Sequence, residues 1–181
     1  MVGFICVLIT CIFICLILIC YTYIYNIFQT YIIRINEAEA FIDTTLRKRF
    51  DLLNKSIWII KANIDTKEEI LGMIVKLRSQ KLSNFELDRK LYDAINEFNH
   101  YKETFPELKN NESFLKIDLS LFESESEIVA ARKYYNDIIT DYNKLVRSLP
   151  SMIVAKVSKY PLKNYFDGKD MNDEEINDFK L

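Results

Sequence analysis

From Phe114 to Leu149 the apolar residues recur in steps of three and four: Phe114, Ile117, Leu121, then Ile128, Ala131, Tyr135, Ile138, Tyr142, Leu145 and Leu149, with Ser124 the one polar residue at its turn. That spacing is the period of a helix and not of a strand. At a rise of ~1.5 Å per residue the segment spans roughly 50 Å, longer than a helix enclosed in a compact domain, so it needs partners of similar length. A second seam, from Ile35 through Ala38, Ile42, Leu46, Phe50 and Leu53 to Ile64, keeps the same steps. Between the two, Ile70, Ile74 and Leu77 continue one face, and Leu87, Leu91, Ile95, Phe98, Tyr101 and Phe105 another.

The polar positions punctuate these seams. Pro150 lacks an amide hydrogen and stops the long helix just after Leu149. Pro106 ends the segment before it, and Asn110 to Ser113 reads as a turn and cap. Asp65 with Glu68, or Thr66 with Glu69, has the spacing of a capping box, which places a chain turn near Asn63 to Asp65. Ser83 with Glu86 has it too. If Thr66 to Phe105 is nonetheless one helix, segments 30–64, 66–105 and 111–149 are nearly equal in length. The fold class expected is therefore all-α: an N-terminal transmembrane helix continuous with a long antiparallel three-helix bundle. If the middle helix breaks at Ser83, the bundle becomes four-helix and up-and-down. Met152 to Val157 is a candidate short C-terminal helix, and Tyr160, Tyr165 and Phe166 are placed to fold back on the bundle end.

Residues 1–33 carry no charged side chain, and Phe4 to Tyr23 is interrupted only by Thr10 and Thr22. About twenty such residues cross a bilayer core as a helix. Tyr21, Tyr23 and Tyr25 follow where an interfacial aromatic belt belongs. The segment lacks the basic start, short apolar core and small-residue cleavage site of a signal peptide, so it is expected to be retained as an anchor. Arg34 follows the span and no Lys or Arg precedes it, which puts the C-terminal domain in the cytoplasm by the positive-inside rule, with the extracytoplasmic side as the alternative. The expected division is an anchor over 1–26, a helical bundle over 27–166 and an acidic disordered tail over 167–181.

Composition changes this picture little. Three glycines and three prolines supply few turns and disfavour a β fold. A formal net charge of −2 aims no strong field at nucleic acid, and none is expected as a partner. All four cysteines, Cys6, Cys11, Cys15 and Cys20, lie in the apolar run, where they read as small apolar residues in lipid; the rest of the chain can build no disulfide or thiolate metal site. His100 is the only histidine, which excludes paired-histidine chemistry within one chain, and it reads as a solvated helix residue. Glu123, Glu125 and Glu127 alternate, so only Glu123 and Glu127 are neighbours on a helix, and they form an acidic face rather than a metal site. With no glycine-rich loop and no nucleophile beside a base, no catalytic, cofactor or metal residue is assigned, and the chain is not expected to be an enzyme.

Two polar stripes are the interaction candidates. On the long helix Arg132, Asn136, Thr140, Asn143 and Arg147 run beside the apolar seam, where polar groups hydrogen-bond across to a neighbouring helix. On the first helix Glu39, Asp43, Arg47 and Asp51 recur every four residues. In a three-helix bundle the first and third helices run parallel, which puts Asp51 level with Arg132 as an interhelical ion pair fixing register.

The run Ala131-Arg132-Lys133-Tyr134-Tyr135-Asn136, with Tyr142-Asn143, Arg147 and Pro150-Ser151, resembles the C-terminal signature of the LemA family of bacterial membrane proteins. Phe105-Pro106-Glu107-Leu108-Lys109 and Phe114-Leu115 resemble the stretch before it. Tyr25-Asn26, Glu37-Ala38, Ile42-Asp43, Leu46-Arg47-Lys48-Arg49 and Asp51-Leu52 resemble the N-terminal block, and Tyr165-Phe166 the ending; the likeness covers roughly residues 25 to 166. Where the family commonly has Ile-Pro-Asn-Leu-Val, this chain has Leu53-Asn54-Lys55-Ser56-Ile57, which leaves no proline to kink the helix, and Glu39 stands where an aromatic residue is common. The resemblance implies one membrane helix and a helical bundle, and it brings no reaction and no cofactor. The function expected is a non-catalytic, membrane-anchored scaffold or adaptor of the cell envelope, whose partners are the bilayer, proteins not identified by the sequence, and in some arrangements further copies of itself. The alternative is a membrane sensor that signals through oligomerisation of its anchor helix.

Overall fold

The structure is a computed structural model that describes residues 1–63 and 82–166. The capping pairs at Asp65 and Thr66, the face formed by Ile70, Ile74 and Leu77, and the acidic tail lie outside the described residues. Within them the elements are α1 (Val2–Asn63), α2 (Asn84–Thr104), a 3-10 turn (Pro106–Asn110), α3 (Glu112–Arg147) and α4 (Ser151–Val157). The expected all-α class holds.

The ends of these helices follow from local chemistry. Ser83 is extended and caps α2: its hydroxyl accepts from the Glu86 amide, while the Glu86 carboxylate accepts from the Ser83 amide at 2.9 Å. That reciprocal box satisfies two amides that a continuing helix would have bonded to carbonyls one turn back, so a helix starts here. The expected single helix over 66–105 is thereby corrected: α2 begins after Ser83. Asn111 caps α3 through a bond from the Phe114 amide to its Oδ1 at 3.1 Å. After Pro150, the Ser151 hydroxyl donates to the carbonyls of Leu145, in the last turn of α3, and of Ser148 just beyond it. α3 stops at Arg147, so Leu149 lies off the seam and is 71% exposed. α1 runs through Leu53-Asn54-Lys55-Ser56-Ile57 without a break, as expected where no proline stands.

The chain forms two compact units. One comprises residues 1–37 and 135–165. Its core is Ile24, Phe28 and Ile35 of α1 against Tyr135, Ile138, Ile139 and Tyr142 of α3 and Val154 and Ala155 of α4. The Phe28 ring meets Tyr142 edge-on at 6.0 Å and stacks on Tyr160 at 4.6 Å. α4 ends in a Schellman motif: the Tyr160 amide reaches the Ala155 carbonyl at 2.9 Å, the Lys159 amide faces the Lys156 carbonyl, and Lys159 takes a left-handed φ of 57° where glycine is usual. This turn aims Tyr160 back at α1.

The other unit comprises 38–134 and 166–181, described here up to Phe166. Leu46, Leu53, Ile57 and Ile60 of α1 are buried, as are Leu91, Ala94 and Phe98 of α2 and Phe114, Leu121 and Ile128 of α3. Phe98 stacks on Phe114 at 5.0 Å, Lys102 pairs with Asp118 at 2.8 Å and Asp88 with Arg132, so α2 and α3 are antiparallel. Lys48 pairs with Glu127 and Arg49 with Glu125, so α1 and α3 are antiparallel as well. The first helix and the long third segment were expected to run parallel. That expectation is corrected: α1 and α2 point the same way, and each is antiparallel to α3.

Candidate functional site

The least expected side chain in the second unit is Arg49. The seam expected Phe50 at this level, but Phe50 is only half-buried, while Arg49 is among the most deeply buried residues at 1% exposure. Three-and-four steps from Ile42 reach position 49 by way of Thr45 or Leu46, so the helix geometry allowed it; the charge hid it. Its guanidinium reaches the half-exposed Glu125 carboxylate at 2.5 Å, and its Nε finds no hydrogen-bond partner among the described residues.

Arg132 was read as an ion-paired residue, and it is one, with a different partner. Its guanidinium meets Asp88 of α2 at 2.5 Å; Asp88 is buried and Arg132 largely so, at 1% and 11% side-chain exposure. Asp51 is exposed on α1. With α1 and α3 antiparallel in the register set by Lys48 and Glu127, Arg132 stands level with Ile42 and Asp43, about 12 Å along the axis from Asp51. Above the pair, the Phe166 ring lies 6.0 Å from the Arg132 guanidinium carbon and stacks on Phe85 at 4.3 Å. Asp88 Oδ1 and Arg132 Nε find no hydrogen-bond partner among the described residues. The guanidinium offers its donors in a fixed planar fork, which sets how the Asp88 carboxylate must lie against it. The arrangement suits register and specificity.

In the first unit Thr140 and Asn143 of the α3 stripe bond the returning chain. Asn143 makes a reciprocal pair with Lys163: its Nδ2 donates to the Lys163 carbonyl at 2.8 Å, and its Oδ1 accepts from the Lys163 amide at 2.9 Å. That is how a primary amide imitates a strand partner. Tyr142 donates to the Pro161 carbonyl at 2.9 Å, and burial pushes its hydroxyl above the ordinary phenol range. Tyr160 is also raised, first by burial and then by its hydrogen bond with Tyr25, against the Gln29 amide, which donates to it at 2.7 Å. The expected folding back of Tyr160 and Phe166 is observed, along the helices rather than over the bundle end. Tyr165 stays half exposed.

The remaining candidates are placed more simply. Asp43 and Arg47 pair with each other at 2.7 Å, one turn apart on exposed α1. Asn136 is half-buried, and its carbonyl accepts from Thr140. Arg147 is exposed beside a groove at the α3–α4 corner. Sequence reasoning missed Asp88, Arg49 and Glu125. Asp88 had a legible signal, since it falls one turn before Leu91 on the apolar face of α2.

Residues 2–20 of α1 are exposed and, apart from Thr10, apolar, and α1 alone among the described helices is long and apolar enough to cross a membrane. Comparison with curated proteins gives no match. The sequence model of the LemA family matches residues 38–178, a stretch that takes in the Arg49 and Arg132 pairs and the Asn143 anchor point. That match spans well over half of the chain, so the chain belongs to the LemA family.

Proposed function

We propose that this protein is a non-catalytic, membrane-anchored scaffold, held by α1 in the cell membrane with its bundle on the cytoplasmic side. The observation that carries the reading is the division of labour along α1: an apolar stretch with no partner up to Cys20, then a seam buried from Ile24 onward. Such a helix is built for lipid at one end and protein at the other. A docking face for partners is offered by α3, where Leu115, Leu119, Phe122 and Val129 recur at helical spacing with exposures from 44% to 78%. Apolar ridges of this kind on a surface mark interaction sites.

The test is in vivo crosslinking with a photoreactive residue at Leu119, comparing the unsubstituted ridge with Phe122→Asp. The reading expects discrete adducts that disappear in Phe122→Asp while helicity and membrane retention are unchanged. Adducts that persist unaltered in that variant, or none in either, would contradict it.

A further inference from the structure

The corner where α3 meets α4 carries an unusual charge pattern. Between Tyr142 and Phe166 the chain has five basic residues, Lys144, Arg147, Lys156, Lys159 and Lys163, and no acidic one. Lys144 is engaged by Asp141 at 3.7 Å. Arg147, Lys156 and Lys159 instead rim an open groove of about 440 Å³ whose remaining walls include Val146, Met152, Ala155 and Pro161. Three cations around an apolar floor suit a ligand with an anionic head and an apolar body.

The same corner presents Leu149 in the turn and Ile153 and Val157 four residues apart on α4, at 71%, 58% and 65% exposure. A soluble surface does not usually place three large aliphatic side chains in a row beside lysines. An interfacial helix does.

Its position along α1 supplies the third observation. The Tyr21 hydroxyl and the Ser158 hydroxyl are hydrogen-bonded at 3.0 Å, and the Tyr25 ring lies 6.2 Å from Tyr160. Tyr21 and Tyr25 are the residues at which the apolar run ends. The corner is therefore held at the level where α1 leaves the hydrocarbon core, with its aliphatic row and its cations at headgroup depth.

We propose that this α3–α4 corner is a lipid-binding foot, which seats the phosphate of an anionic phospholipid between Arg147, Lys156 and Lys159 while Leu149, Ile153 and Val157 enter the interface. The proposal rests on α1 being a membrane anchor, and it gives the anchored domain a second, charge-selective contact with the bilayer. Cations at such a surface each contribute a factor of about five in favour of the docked state at low salt.

The full chain, with Cys6, Cys11, Cys15 and Cys20 replaced by alanine and Ile153→Cys carrying an environment-sensitive fluorophore, is reconstituted into nanodiscs of phosphatidylcholine alone or with phosphatidylglycerol. Quenching by a headgroup nitroxide reads docking. Quenching is expected to rise with phosphatidylglycerol. The docked-to-undocked ratio is expected to fall about fivefold with Lys156→Gln and again with Lys159→Asn, asparagine being at ease in the left-handed conformation. Lys156→Arg should retain it. Quenching indifferent to phosphatidylglycerol and to both lysines, in protein that has entered the discs, overturns the foot and leaves the anchor standing. Protein that does not enter the discs overturns the anchor, and the foot with it.

Discussion

Asp88 is a carboxylate with almost no contact with water, and one arginine accounts for its charge. Removing either partner alone strands the other as a buried ion, so Asp88→Ala and Arg132→Ala are each expected to destabilise by about 3–5 kcal/mol, whereas the joint Asp88→Leu, Arg132→Met variant should recover most of that loss. Thermal unfolding in detergent followed by circular dichroism checks this. Equal losses in the single and double variants would mean that packing, and not charge compensation, sets the cost. Tyr142→Phe probes the first unit. It leaves the Pro161 carbonyl without its donor, at a cost of about 1 kcal/mol. It also changes the alkaline limb. The folded hydroxyl titrates above its ordinary value of 10.0, so the unfolded chain loses that proton first, and stability falls as pH rises through that value. The phenylalanine variant should lose less stability over the same alkaline range. At this scale the sequence revealed that Arg132 is paired, because a cation beside an apolar seam needs a counterion. It did not reveal Asp88 as the partner, because that depends on which way α2 runs.

At the level of elements, the seams of α1 and α3 were legible because three-and-four spacing admits one reading. Arg49 was not, since a periodic search for apolar residues passes over a charge that pairing with Glu125 makes tolerable. The break at Ser83 was visible as a capping pair and outweighed by an argument from equal helix lengths; the local chemistry proved the better guide, since a capping box satisfies amides whatever the helix lengths. Ser83→Ala should destabilise by about 1 kcal/mol through loss of the cap. Bonds from the Ser83 amide, then from its hydroxyl, hold the Glu86 carboxyl below its ordinary value of 4.5. With the folded value lowered, this contribution is present above pH 4.5 and is lost as pH falls through the folded value. Glu86→Gln should therefore show a shallower acid limb in a pH series of melting temperatures. An unchanged acid limb would remove the box from the account of where α2 begins.

At the level of the molecule, the all-α class, the apolar span and the family were readable from the chain, because each rests on many residues at once. The antiparallel pairing of α1 with α3 was not, because one reversal more or fewer inverts it while every helix keeps its own pattern. The lipid-facing reading of the α3–α4 corner was equally hidden: five cations without an acid are visible in the sequence, but their height beside Tyr21 exists only in the fold. All of this depends on α1 crossing the bilayer, and that is tested most directly by thiol accessibility at its two sides. In a background without the four native cysteines, Val2→Cys and Lys133→Cys are each exposed to a membrane-impermeant maleimide in intact spheroplasts and after lysis. A spanning α1 with a cytoplasmic bundle predicts that Val2→Cys is labelled in intact spheroplasts and Lys133→Cys only after lysis. Equal accessibility of the two before lysis would contradict a spanning helix, and the reverse pattern would contradict the cytoplasmic placement of the bundle.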